Sequence, residues 1–296
     1  MVMHRCEFNS HTRHQKQHQK DDQKGSERDW IRPLAFYYEQ LFKQIEGVKM
    51  IKEKYQLYHG DCLDGFKTLQ DESVDLILTD VPYGVDYKND FYDDSKDYVF
   101  SHHEQWVYEM FRVLKEGSHC YIFIPTLEVD KWISAVKKYF LFKNLIATRA
   151  YTGSTYLKDN FNFSAQYVIY CSKGKSKQFN SVNYIPTSEA WLKDKRNKNP
   201  KPFTYSYPSY MPEKVFSTVH GSAKNSIHPN QKSVPFQKFL IQISTNENDV
   251  VLDPFFGSCS CGEAALETGR RFIGFEQDRT YFNLATKKLE QALLES

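Results

Sequence analysis

Short apolar runs alternate with helix-period stretches along most of this chain, and that alternation limits what it can fold into. Val74–Thr79, Cys120–Ile124, Tyr167–Cys171, Val250–Asp253 and Phe272–Glu276 are too short for helices and too uniformly apolar for strands with a wet face. They read as strands buried on both sides. Between them, His103–Leu114, Val129–Tyr139 and residues 234–244, 261–268 and 280–293 carry helical spacing. Strands alternating with helices predict an α/β fold, a mostly parallel, doubly wound sheet with helices on its faces. Residues 30–53 add a further helix, with Leu34, Tyr37, Tyr38, Leu41 and Ile45 on one side. Residues 1–28 are polar and aperiodic and are expected to be a disordered tail. No internal repeat is evident.

Composition narrows the class. The chain has 296 residues, 40% hydrophobic and 16% aromatic, enough apolar surface for a sizeable core. No apolar run approaches the roughly 18 residues that span a bilayer, and the first residues have no secretory apolar core, so a cytoplasmic, nucleoid-associated protein is expected. Six cysteines then read as reduced thiols, and Cys259 and Cys261 as small core-facing side chains. The four histidines of the tail are irregularly spaced, so no metal site is expected. The formal charge of +2 hides an uneven distribution: eleven Lys/Arg against three acids between Lys173 and Lys232, and ten acids against two lysines between Asp71 and Glu104. The basic stretch interleaves rings and prolines with its lysines. Lys193, Lys195, Arg196, Lys198, Lys201, Tyr205 and Tyr207 suit phosphate contact and base stacking. An insertion whose rings pack on the main domain explains the same composition.

The chemistry sits where strands end. VDLILTDVPYG (residues 74–84) is an apolar strand followed by Asp80, Val81, Pro82 and Tyr83. In a doubly wound sheet, ligands lie beyond the carboxyl ends of the strands. A carboxylate and a backbone carbonyl followed by a ring can grip a planar amine, the acceptors taking its hydrogens and the ring stacking on its face. An Asp-x-Pro strand exit is also a common turn. VVLDPFFGSCSCGEAALETGRRFIGFEQD (residues 250–278) is strand, Gly turn, helix, strand and acid. A carboxylate at the second strand tip, Glu276, can take both hydroxyls of a ribose. The turn lacks the G-x-G-x-x-G spacing of dinucleotide sites, which argues against NAD.

Together these segments resemble the β class of amino DNA methyltransferases, whose motifs run in a circularly permuted order. Asp80-Val81-Pro82-Tyr83 is similar to their Asp-Pro-Pro-Tyr motif. Asp253-Pro254-Phe255-Phe256-Gly257-Ser258 is similar to their S-adenosylmethionine (AdoMet) motif, Asp-Pro-Phe-x-Gly-Ser-Gly. His228-Pro229-Asn230-Gln231-Lys232 and Gly60-Asp61-Cys62 resemble two flanking elements. The resemblance covers residues 54–293. It implies a Rossmann-like AdoMet-dependent methyltransferase fold over residues 29–172 and 228–296, with residues 173–227 inserted as the target-recognition region. AdoMet is the implied cofactor. Asp253, Phe255, Gly257 and Ser258 would wall its pocket, Glu276 would bind its ribose, and Asp61 beside Cys62 its adenine. Gln231 and Lys232 would face its methionine end, Lys232 countering the carboxylate. Asp80 and the Val81 carbonyl would hold the target amine, and Tyr83 would stack on the extruded base. An acid at the first motif position resembles the adenine-specific members. Double-stranded DNA, a cognate restriction endonuclease and a second copy of the chain are the implied partners.

Two positions depart from the family pattern. Val81 replaces a proline and loses its rigid φ. Cys259 replaces a glycine in the AdoMet turn, where a side chain would cost cofactor affinity if the position needs a positive φ or touches the cofactor; Cys259→Gly is then expected to tighten binding. These departures leave two alternatives: a degenerate relative that binds nucleic acid and AdoMet without transfer, or an enzyme acting on cytosine N4 or RNA.

Overall fold

A computed structural model describes residues 53–85, 93–149, 165–180 and 232–295. The expected tail and the helix at residues 30–53, apart from its last residue, lie outside these residues. So do Gln231 and the basic and aromatic residues from Lys193 to Tyr207.

Seven strands form one sheet: β1 (Tyr55–His59), β2 (Val74–Asp80), β3 (Leu114–Ile124), β4 (Leu141–Arg149), β5 (Ala165–Ser172), β6 (Val250–Asp253) and β7 (Arg271–Glu276). Their spatial order is β1-β7-β6-β2-β3-β5-β4. Pairing is parallel from β1 through β3. Strand β5 runs antiparallel between β3 and β4, which corrects the sequence expectation that Tyr167–Cys171 belongs to the parallel set. An all-apolar run is consistent with either direction once both faces are covered.

The two faces are read directly from the side-chain alternation of β2 and β3. Ile77, Cys120, Ile122 and Ile124 point to one core, with Phe66, Trp106, Met110, Trp132 and Val136. These come from α1 (Cys62–Lys67), α2 (Lys96–Val113) and α3 (Val129–Lys137). Leu76, Leu78, Tyr121 and Phe123 point to the other, with Phe236, Leu240, Ala264 and Leu289. Those belong to α4 (Val234–Ser244), α5 (Ser260–Glu267) and α6 (Arg279–Glu295).

Three elements escaped the sequence reading. Strand β1 alternates half-buried and exposed residues, α1 is six residues long, and β4 is an edge strand, so none carries a strong periodic signal. Helix α2 starts at Lys96 rather than His103, because Ser95 caps it by accepting from the Tyr98 N–H at 3.2 Å. The first residues of the expected insertion also belong to the body. Lys173 is buried and donates to the Phe111 carbonyl, and Asn180 donates through Nδ2 to the carbonyls of Gln242 and Thr245.

A buried polar network ties the second face together. His119 Nδ1 lies 3.0 Å from Ser244 Oγ, Tyr121 Oη 2.9 Å from the same oxygen, and Tyr170 Oη 3.2 Å from His119 Nε2. Burial pushes the His119 pKa down to about 4, against roughly 6.5 in an unfolded chain. Between those values the unfolded chain binds more protons, so this residue makes stability fall as pH drops through 6.5 toward 4. Urea unfolding at pH 7 and pH 5 is expected to show a larger loss of stability in the wild type than in His119→Gln.

Candidate active site

Four strand tips line up along one edge of the sheet. β2 ends at Asp80, its neighbour β6 at Asp253, the next strand β7 at Glu276, and β1 leads into Gly60 and Asp61. The register places Leu252 beside Ile77, Gly274 beside Asp253 and Glu276 beside His59. Strand β2 connects through α2 on one face and β6 through α5 on the other, so the crevice opens where the winding reverses.

A cavity with about 1310 Å³ of empty space, open to solvent, occupies this edge. Asp61, Cys62, Asp80, Val81, Pro82, Tyr83, Lys232, Asp253, Phe255, Gly257, Ser258 and Glu276 all line it, so every described residue expected in the site is brought together.

Each end has its own chemistry. At the β1–β7 end, Asp61 caps α1 by accepting from the Leu63 N–H at 2.7 Å, and its other oxygen lies 3.4 Å from Tyr98 Oη. Glu276 accepts from the Gly257 N–H at 2.9 Å and the Asp278 N–H at 2.7 Å. Gly257 has φ +47°, and a Cβ built there would meet nothing within 4 Å, so the turn presents bare backbone to open space. Trp106 and Phe255 wall this end with ring centroids 5.1 Å apart. Carboxylates, bare backbone and rings around an open cradle fit a nucleoside carrying a cationic arm. AdoMet, when bound, supplies a sulfonium-activated methyl group; these residues would hold and orient it.

Asp253 does not face the cavity freely. It is 5% exposed and accepts from Thr79 Oγ1 at 2.7 Å and from the Phe255 N–H at 3.1 Å, bracing the turn against β2. Burial pushes its carboxyl up to about 7, with the nearby charges of Asp80 and Glu276 adding to the effect. Burial likewise lifts Glu276 to about 7, against the backbone N–H bonds that favour its ionised form.

At the β2 end, Asp80 accepts from Tyr83 Oη at 2.7 Å and from Lys232 Nζ at 2.5 Å. Lys232 was expected against the methionine carboxylate of the cofactor; here its ammonium sits on the acid of the neighbouring motif. Val81 donates its N–H to the Phe123 carbonyl at 3.4 Å, a bond that proline could not make. The strand ladder therefore runs one residue past Asp80, and this holds the turn that a proline would stiffen. Asp94, 7% exposed, accepts from the N–H groups of Gly84 and Val85 at 3.1 and 3.4 Å and closes the turn from the other side. Asp94 and Thr79 escaped the sequence reading. Thr79 is adjacent to Asp80 and could have been found from strand register; Asp94 lies in an acidic stretch with nothing to single it out.

Cys259 has the expected core-facing side chain and a left-handed backbone as well. It adopts φ 57°, ψ 34°, so the position does demand the left-handed conformation. Its side chain, however, is fully buried in the second core and is absent from the cavity wall. Cys261 is buried as well, its Sγ 3.3 Å from the Leu78 carbonyl. Among the described residues, no cluster of His, Cys, Asp and Glu is arranged to hold a metal ion, and no helix is long and apolar enough to cross a membrane.

A DNA methylase family model matches residues 74–287. The chain belongs to this family. Relatives align with it across most of its length. The type II methyltransferase M.BamHI of Bacillus amyloliquefaciens is 35% identical over 256 residues, covering 79% of this chain and 58% of that protein. The DNA adenine methyltransferase YhdJ of Escherichia coli (strain K12) is 28% identical over 260 residues, covering 83% and 86%. The chain thus spans little more than half of M.BamHI and most of YhdJ. Two solved structures share the fold. The M1.HpyAVI–SAM complex aligns with TM-score 0.52 at 23% identity, covering 79% of this chain and 99% of that one. A putative DNA modification methylase from Thermus thermophilus, complexed with S-adenosyl-L-methionine, gives 0.55 at 19% identity, covering 81% and 94%. The family is one of DNA methylases, and the two structures show that the fold is shared.

AdoMet carries a net positive charge, and Asp253 and Glu276 gain their negative charges near pH 7, so cofactor affinity should rise with pH. The increase in melting temperature produced by AdoMet is expected to be larger at pH 8 than at pH 6. Because Cys259 faces the core, Cys259→Gly should leave AdoMet affinity within about twofold in calorimetry, its left-handed strain and lost packing acting on stability instead.

Proposed function

We propose that this chain transfers the AdoMet methyl group to the exocyclic N6 amine of adenine in DNA, taking the base out of the duplex to do so. The reading is carried by one observation. Asp80 and Val81 stand at the tip of β2, one strand from the braced Asp253–Ser258 turn, and both line the same solvent-open cavity.

An exocyclic amine is a weak nucleophile because its lone pair is delocalised into the ring. Asp80 and the Val81 carbonyl accept its hydrogens, favour a more tetrahedral nitrogen and stabilise the positive charge that develops on it. Tyr83 stacks on the base and offsets part of the few kcal/mol spent on unstacking it. Asp61, Phe255, Gly257, Ser258 and Glu276 align the methyl donor, and much of the rate comes from that alignment. Gln231 supports the methionine end. Lys193, Lys195, Arg196, Lys198, Lys201, Tyr205 and Tyr207 contact double-stranded DNA, a cognate endonuclease shares the recognition site, and a second copy of the chain completes a homodimer. An acid at the first motif position and the name of YhdJ support adenine. The fold likeness to a cytosine-N4-specific enzyme, PvuII DNA methyltransferase (14% identity, TM-score 0.53), leaves cytosine as the outcome to test against.

Asp80→Ala is expected to lower methyl transfer at least about hundredfold while AdoMet affinity stays within about threefold. Modification mapping of DNA from an otherwise methylation-free host expressing the wild type should find methylated adenine. Methylated cytosine would overturn the base assignment, and equal transfer by Asp80→Ala would overturn the role of the motif.

A further inference from the structure

Gln166 is part of none of the motifs and lies on β5, two strands away from β2. Its side chain nevertheless reaches into the site. Nε2 donates to the hydroxyl of Tyr83, while that hydroxyl lies 2.7 Å from Asp80 Oδ1. Lys232 Nζ lies 3.4 Å from the same hydroxyl and 2.5 Å from Asp80 Oδ2, and sits 5.6 Å from the Tyr83 ring centroid.

Hydrogen-bond direction in this cluster is forced. An amide NH2 and an ammonium can only donate, so the Tyr83 oxygen accepts from both, and its single proton has one remaining acceptor among the described residues, Asp80. The phenol therefore donates to Asp80 rather than accepting from it, and Asp80 is kept as the acceptor of the cluster. One edge of the ring is pinned, which fixes the plane on which a base could stack. Strand β5 is paired on both edges, between β3 and β4, so it is a rigid place from which to reach the turn.

We propose that Gln166 is a positioning residue for methyl transfer: by donating to the Tyr83 hydroxyl it orients the phenol and directs its proton onto Asp80. The inference rests on the reading that Asp80 and Tyr83 receive the target base. Among the described residues, the Gln166 side chain reaches the site through one atom, the Tyr83 oxygen, and this separates its role from a contribution to folding.

The test is a double-mutant cycle on Gln166→Met and Tyr83→Phe, with single-turnover methyl transfer, AdoMet affinity and melting temperature measured for each. Gln166→Met keeps the length of the side chain and removes the donor. It is expected to slow transfer about tenfold with AdoMet affinity within about twofold. In the Tyr83→Phe background the same substitution should have no further effect on rate, because the atom it addresses is gone. Additive losses in the double variant, or an unchanged rate in Gln166→Met, would overturn the inference. A loss of rate that tracks melting temperature in both backgrounds would overturn it too. Asp80→Ala run alongside separates the two levels: if it transfers as well as the wild type, the underlying reading fails; if it is inactive while Gln166→Met is normal, only the role of Gln166 fails.

Discussion

The pairing of β2 with β6 is the contact on which the rest of the molecule depends. Two segments 174 residues apart in sequence become neighbours there, and the buried bond from Thr79 Oγ1 to Asp253 Oδ1 locks their ends at a fixed separation. One segment carries the acid that would hold the target amine, the other the turn that would hold the methyl donor. Group transfer between two bound molecules needs their reacting atoms within about 3–3.5 Å. A rigid sheet can guarantee that spacing; two loops could not. The same pairing places the reversal of winding, and hence the crevice, between the two ends.

Acidic groups dominate that crevice. Asp61, Asp80, Asp253 and Glu276 all line it, and Lys232 is the one Lys or Arg among its described lining residues. Burial, reinforced by repulsion from neighbouring acids, leaves Asp253 and Glu276 only partly ionised at pH 7. The arrangement costs stability in the folded chain, and a cationic ligand relieves it. Lys232 performs part of that service from within, its ammonium 2.5 Å from Asp80 Oδ2.

Much of this was legible in the residues. Strands β2, β6 and β7 are mostly apolar runs, and helix α4 was placed to the residue, because burial leaves a strong compositional mark. The strand-tip acids could be named for the same reason: an acid closing an apolar run has few structural uses. What could not be read is whatever depends on a neighbour across the fold. The direction of β5, the edge strand β4 and the reach of Gln166 are set by pairing rather than by local pattern. Cys259 shows the limit from the other side. Its core-facing side chain was anticipated, but that the position takes a left-handed backbone while the side chain stays off the cavity wall was not.

Helix α4 sets one further relation. Asn180 is fastened to carbonyls at its C-terminal end, and Lys232 stands two residues ahead of its N-terminal end. Eleven residues of helix separate these points by about 16 Å. Asn180 and Lys232 are thus held at opposite ends of a single stiff rod, which fixes the span any connection between them must meet.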